Sequence, residues 1–185
     1  MKTVLCFVGV LVGIIHPAYA TPPQWNVLDG SWVGFTAMQV GAPVEGEFEI
    51  FEADIEFDPD DPVASTAKVV IDINSVNSHS TERDSAIRSA GLFDVETWPE
   101  AVFEATSFRS GNVDGQYIAI GTLTIRGVTR GVEMAFYLSV DGQVAHAQGS
   151  LDILRLDYGV GQGMWADTSV VANEVTITID IRATR

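Results

Sequence analysis

Cysteine is almost absent from this chain. Cys6 is the only one, and it lies inside an N-terminal apolar run. Without that run, no residue remains for a disulfide, a thiolate nucleophile or a sulfur metal ligand. The missing C-x-x-C-H pattern excludes covalent c-type haem. Basic residues are scarce too, with 10 Lys plus Arg against 25 Asp plus Glu and a formal charge of −15. Such a surface repels phosphate backbones and anionic headgroups, so nucleic acid is excluded as an expected partner, and so is docking to anionic lipid by a basic patch. Beyond residue 20 the histidines are His79 and His146 alone. No H-E-x-x-H or G-x-S-x-G pattern occurs, and no acidic pair is set apart by its surroundings, so the chain is read as a non-enzyme with no metal site. The acids of Asp58-Pro-Asp-Asp-Pro62 lack the spacing and glycine of a calcium loop and read as a solvated turn.

A membrane span is missing as well. The apolar run from Val4 to Ile15 falls short of the ~20 residues that a bilayer requires. Lys2 precedes it and Ala18-Tyr19-Ala20 follows it, which is the order of a secretory signal peptide. The expectation is cleavage after Ala20, export to the periplasm without stable membrane insertion, and one domain over residues 21–185.

What the chain does have is alternation with a period of two. Val175, Ile177, Ile179 and Ile181 share one face of a run whose other face is polar, the pattern of a half-buried antiparallel strand. Val132, Met134, Phe136, Leu138 and Val140 repeat it, as do Tyr117, Ala119, Gly121, Leu123 and Ile125, and Val69, Ile71 and Ile73. Between Glu47 and Phe57 the alternation slips by one residue, which predicts a β-bulge near Ile50-Phe51, with Phe48 and Ile50 on one face. About eight strands result, near residues 32–40, 45–57, 64–76, 101–110, 116–126, 129–140, 143–153 and 174–183. Asp114-Gly115, Gly127 and Asp141-Gly142 mark tight turns. One short helix, capped by Ser80 or Thr81 and ending before Gly91, interrupts the strands. The fold expected is mainly β: a single antiparallel up-and-down meander that closes into a barrel, which removes its sticky edges. A barrel of that size either packs its interior with side chains or holds one slim ligand.

Five motifs in sequence give this meander a family resemblance. They are Trp25 to Phe35 (W-N-V-L-D-G-S-W-V-G-F); Gly46-Glu-Phe48 with Asp58-Pro-Asp60; Arg83-Asp84, Leu92-Phe93-Asp94, Trp98-Pro99 and Phe103; Leu123-Thr-Ile-Arg-Gly-Val-Thr129; and Arg155 with Asp157-Tyr158-Gly159. Together they resemble the YceI-like family of secreted proteins. Gly131 and the near absence of lysine depart from the family pattern and bear on a turn and on the surface.

The resemblance implies a lipocalin-like barrel with a small helical lid, and capture of a polyisoprenoid or similar long-chain amphiphile inside it. No cofactor is implied beyond that bound isoprenoid-type lipid, and a homodimer is compatible with it. Each methylene taken out of water contributes ~0.8 kcal/mol, so such a ligand needs only an apolar tunnel and a polar mouth. The residues expected to line interior and mouth are Phe35, Phe93, Trp98, Phe103, Leu123, Met134, Phe136, Met164 and Trp165. Met164-Trp165 follows three glycines in a loop and serves either as a mobile lid or as a permanent plug. Arg83, Asp84, Arg88 and Asp94 near the helix, and Arg155 with Asp157 at the other end, form either structural pairs that fix lid to wall or a clamp for a polar head. The rival readings are a secreted stress-related interaction module with a filled barrel, an enzyme acting on a lipid, and a quinone-related role.

Overall fold

The computed structural model describes residues 21–185; the expected signal peptide lies outside the described residues. β1 (Gln24–Val27), β2 (Trp32–Gln39), β3 (Ala42–Phe48), β4 (Phe51–Glu56), β5 (Thr66–Asp72), β6 (Val76–Asn77), β7 (Glu100–Ser110), β8 (Gln116–Ile125), β9 (Val128–Asp141), β10 (Val144–Leu154) and β11 (Val171–Thr184) form one antiparallel sheet. β1 pairs with both β4 and β11, which closes the sheet into an eight-stranded barrel. The eleven segments fill eight wall positions because β1 and β2, β3 and β4, and β5 and β6 are each halves of one wall strand. The expected meander is therefore present: β7 to β10 follow one another through short hairpins, and a longer connection with two short turns, Arg155–Tyr158 and Gly163–Ala166, leads to β11.

Local sequence explains the punctuation. Gly115, Gly127 and Gly142 sit at the expected turns with φ of 73°, 71° and 60°, the left-handed region that a Cβ disfavours. The expected bulge at Ile50 is instead a full break. Ser75, in the turn after β5, takes the ladder bonds there: its carbonyl accepts from the Glu49 amide at 3.2 Å and its hydroxyl from the Ile50 amide at 3.0 Å. Ile50 turns outward, 58% exposed, while Phe48 and Phe51 both pack on the core. A bulge does occur in β7, between Ala105 and Ser107. Gly121 faces it across the sheet, where any Cβ would strike the Glu104 carbonyl.

The single α-helix among the described residues, α1 (Thr81–Arg88), begins as expected at Ser80, whose hydroxyl accepts from the Arg83 amide. Eight residues are too few for a helix to persist alone in water. Ile87, which it buries against the barrel end, holds it in place. Inside the barrel the alternating columns point inward as predicted, with Ile177, Ile179 and Ile181 from β11 lining the same cavity as Met134 and Phe136 from β9. Among the described residues no helix is long and apolar enough to cross a membrane.

Candidate functional site

The inward columns do not fill the barrel. A lower cavity of about 150 Å³ is walled by carbon, with Val69, Phe103, Met134, Leu151 and Ile179 among its lining. An apolar cavity of roughly this volume stays dry and accepts a benzene-sized guest. Its floor is aromatic. Trp25, only 3% exposed, donates its indole N–H to the Phe57 carbonyl at 2.8 Å. Phe57 meets Phe108 and Tyr117 edge-on, at ring-centre distances of 5.1 and 5.2 Å. The Arg185 guanidinium lies 4.9 Å from the Trp25 ring and covers this end from outside.

An upper cavity, also about 150 Å³, lies toward α1 and is lined by Phe35, Phe48, Ile87, Phe93 and Trp165. Val33, Ile71, Leu123 and Ile177 belong to both linings, so the two lobes abut at a waist made by these four side chains. The result is an apolar barrel interior of two adjoining lobes, with Trp25 in the lining of the lower one. Its polar residues are gathered at the upper end: Gln39, Arg83 and Arg155.

The charged residues of this end act mostly on backbone carbonyls. Arg155, 4% exposed, donates Nε to Ala172, Nη1 to Val160 and Nη2 to Val171, at 2.9, 2.8 and 2.6 Å. Burial lowers its pKa from the ordinary value. Gly161 leaves the room, since a Cβ there would strike the guanidinium. Arg83 donates to the Ser78 carbonyl at 2.8 Å and Arg88 to that of Asn74 at 2.9 Å. Burial pushes the Asp84 carboxyl up. The amide and hydroxyl of Ser78, at 2.8 and 2.6 Å, together with the charges of Arg88 and Arg83, outweigh that and hold it below its usual value. Asp94 lies 3.8 Å from Arg126, which also donates to the Leu92 carbonyl at 2.9 Å.

Two expectations are corrected here. Arg155 and Asp157 form no pair: Asp157 is exposed, and only its carbonyl is engaged, by Arg130 at 3.0 Å. Nor do they sit at the far end of the barrel. The turn Arg155–Tyr158, reversed by left-handed Gly159, brings this segment against the α1 end, where the Gln162 amide donates to the Gly91 carbonyl at 2.7 Å. The arginines and Asp84 fix lid to wall, but through carbonyls and a serine rather than through one another.

Of the apolar residues singled out, Phe103, Met134 and Phe136 line the lower lobe, Phe35, Phe93 and Trp165 the upper, and Leu123 the waist. Trp98 and Met164 line neither. Trp98 is 41% exposed and its ring covers Gly127 at the β8–β9 turn. Met164 is 74% exposed because its short turn points it to solvent. Trp25, Val33, Ile71 and Ile177 were not singled out, although they make the floor and most of the waist. Trp25 stands in a strand of only four residues, too short for alternation to reveal. His146 bonds Asp180 at 2.8 Å on the outer surface, while His79 lies elsewhere, beside β3, so the two form no shared site.

Comparison with known proteins gives this tunnel a context. The YceI-like domain model matches residues 25–183. A UPF0312 protein of Yersinia pestis is 38% identical over 97 residues, 52% of this chain and 50% of that protein; a UPF0312 protein of Yersinia enterocolitica is 36% identical over the same length. The chain thus spans about half the length of the curated relatives it matches. Among solved structures, BcnA of Burkholderia cenocepacia superposes with a TM-score of 0.80 at 31% identity, over 83% of this chain and 96% of its own. A polyisoprenoid binding domain from Saccharophagus degradans superposes with a TM-score of 0.70 at 19% identity, over 87% and 97% of the two chains, a likeness of fold.

Proposed function

Because the chain belongs to the YceI-like family, we propose that it is an exported, periplasmic binding protein that holds one long-chain amphiphile, of polyisoprenoid type, along the barrel axis. One observation carries this reading: two carbon-lined lobes inside the barrel share a four-residue waist, with Trp25 in the lining of the lower one. Such a tunnel suits a slender tail rather than a globular ligand. The tail lies toward the aromatic floor and the polar head toward Gln39, Arg83 and Arg155. No bond need be made or broken in the ligand, so its role is carriage or sequestration without catalysis. Export follows from the first 20 residues acting as a signal peptide.

Titration with unbranched-head prenols of increasing length tests this. Each added isoprene unit buries several carbons, so affinity rises by more than about tenfold per unit until the tail meets the floor, then stops rising. Affinity independent of length, or no binding at any length, contradicts the proposal and favours a filled barrel with a surface role.

A further inference from the structure

The barrel wall is interrupted beside β3. Ala42–Gly46 of β3 pair with β2 on one side, but on the other side β3 meets only β6, at Glu47 and Phe48. Past Asn77 the chain leaves the wall through Ser78–Ser80 to enter α1. This free edge carries Pro43 and Glu45, residue types that keep an exposed strand from pairing with another chain. Over the outer face of β11, β2 and β3, and reaching this edge at His79, lies a groove of about 390 Å³ bordered by Trp32, Thr36, Glu45, Glu47, His79 and Thr178.

Phe35 is common to the lining of this groove and of the upper lobe. Its ring lies across Gly46, with Cζ 2.5 Å from where a Cβ on that glycine would stand. Gly46 is not in the left-handed region, so the backbone does not call for glycine there. The ring does. At the two ends, Trp25 and its aromatic neighbours line the floor, and Arg155, Arg126 and Gln162 tie down the segments over the α1 end. Opening those barriers breaks backbone hydrogen bonds or a buried cluster. At the β3 edge the residue common to both linings is a phenylalanine, whose side chain changes rotamer without breaking a backbone hydrogen bond.

We infer that the Phe35 ring, seated on Gly46, is the door of a side portal through which an apolar chain passes from the outer groove into the upper lobe. The inference rests on the proposal that the tunnel holds a lipid. An entering chain threads between the β3 edge and His79, and the ring closes behind it.

Stopped-flow fluorescence with all-trans-retinol tests the portal. This probe is a neutral isoprenoid alcohol, chosen because Glu45 and Glu47 would repel a carboxylate. Phe35→Ala accelerates both loading and release, each by about tenfold or more, because a barrier common to both directions has gone. A residue that is merely wall would speed release alone and leave loading unmoved. Should the alanine variant not fold, Phe35→Leu moves both rates the same way by a smaller factor. If wild type saturates with retinol but both Phe35 variants load at its rate, the portal is overturned and the lipid reading stands. Faster loading in Trp165→Ala but not in the Phe35 variants places entry at the barrel end and also overturns it. If wild type takes up no retinol at all, the lipid reading fails and the portal falls with it.

Discussion

Trp25 and Phe57 are joined by one buried hydrogen bond, indole N–H to carbonyl at 2.8 Å, and both residues line the lower lobe. It adds a side-chain tie to the ladders that pair this four-residue strand with β4 and β11. Trp25→Ala removes both the ring and the donor. We expect a loss of about 3–5 kcal/mol in urea unfolding, the usual range for a large aromatic removed from a core. Trp25→Phe retains most of the packing and should lose clearly less.

The waist offers a sharper test of shape. Leu123→Trp adds bulk where the two lobes abut. Overpacking costs about 1–3 kcal/mol of stability, measurable by denaturation. Prenols short enough for the upper lobe should still bind, whereas the advantage of longer ones should vanish. Equal weakening at all lengths would show that the lobes do not act in series.

Arg155 behaves as a structural keystone. Arg155→Lys keeps the charge but offers a point donor to three carbonyls that the guanidinium fork reaches together. Leaving buried carbonyls unpaired costs about 1–3 kcal/mol each at most, so a drop of roughly 3 kcal/mol is expected in equilibrium unfolding. An unchanged midpoint would mean that solvent replaces these bonds.

Asp84 predicts an acid limb. Its carboxyl is held below the ordinary value in the fold, despite burial, by Ser78, Arg88 and Arg83. Its contribution is therefore complete above the unfolded carboxyl's value near pH ~4 and is lost as the pH falls through the lower folded value. Asp84→Asn should lose about 1–3 kcal/mol at neutral pH. The gap to wild type should narrow in acid, as read from urea midpoints between neutrality and pH ~3. A gap independent of pH would rule out the carboxylate as its source.

Much of this architecture was legible because period-two alternation reports directly on a wall with one wet and one dry face. The columns through Leu123, Met134, Phe136 and Ile177 fall inward as their spacing requires. Alternation says nothing about what fills the space between columns, so hollowness had to come from resemblance. It also fails where strands are broken. The Ile50 break depends on Ser75, twenty-five residues away, and local sequence cannot announce it. The partners of Arg155 were misread for a similar reason: Asp157 is near in sequence, but a short turn points the arginine back at carbonyls. Gly161 was the available clue, a glycine kept free for the guanidinium. Gly46 gives the same clue for Phe35.

Native mass spectrometry of the protein as it leaves the cell tests the central claim most directly. The account predicts a complex heavier than the polypeptide by one long-chain lipid, returning to the polypeptide mass after organic extraction. A bare polypeptide under the gentlest conditions, before any extraction, would contradict it.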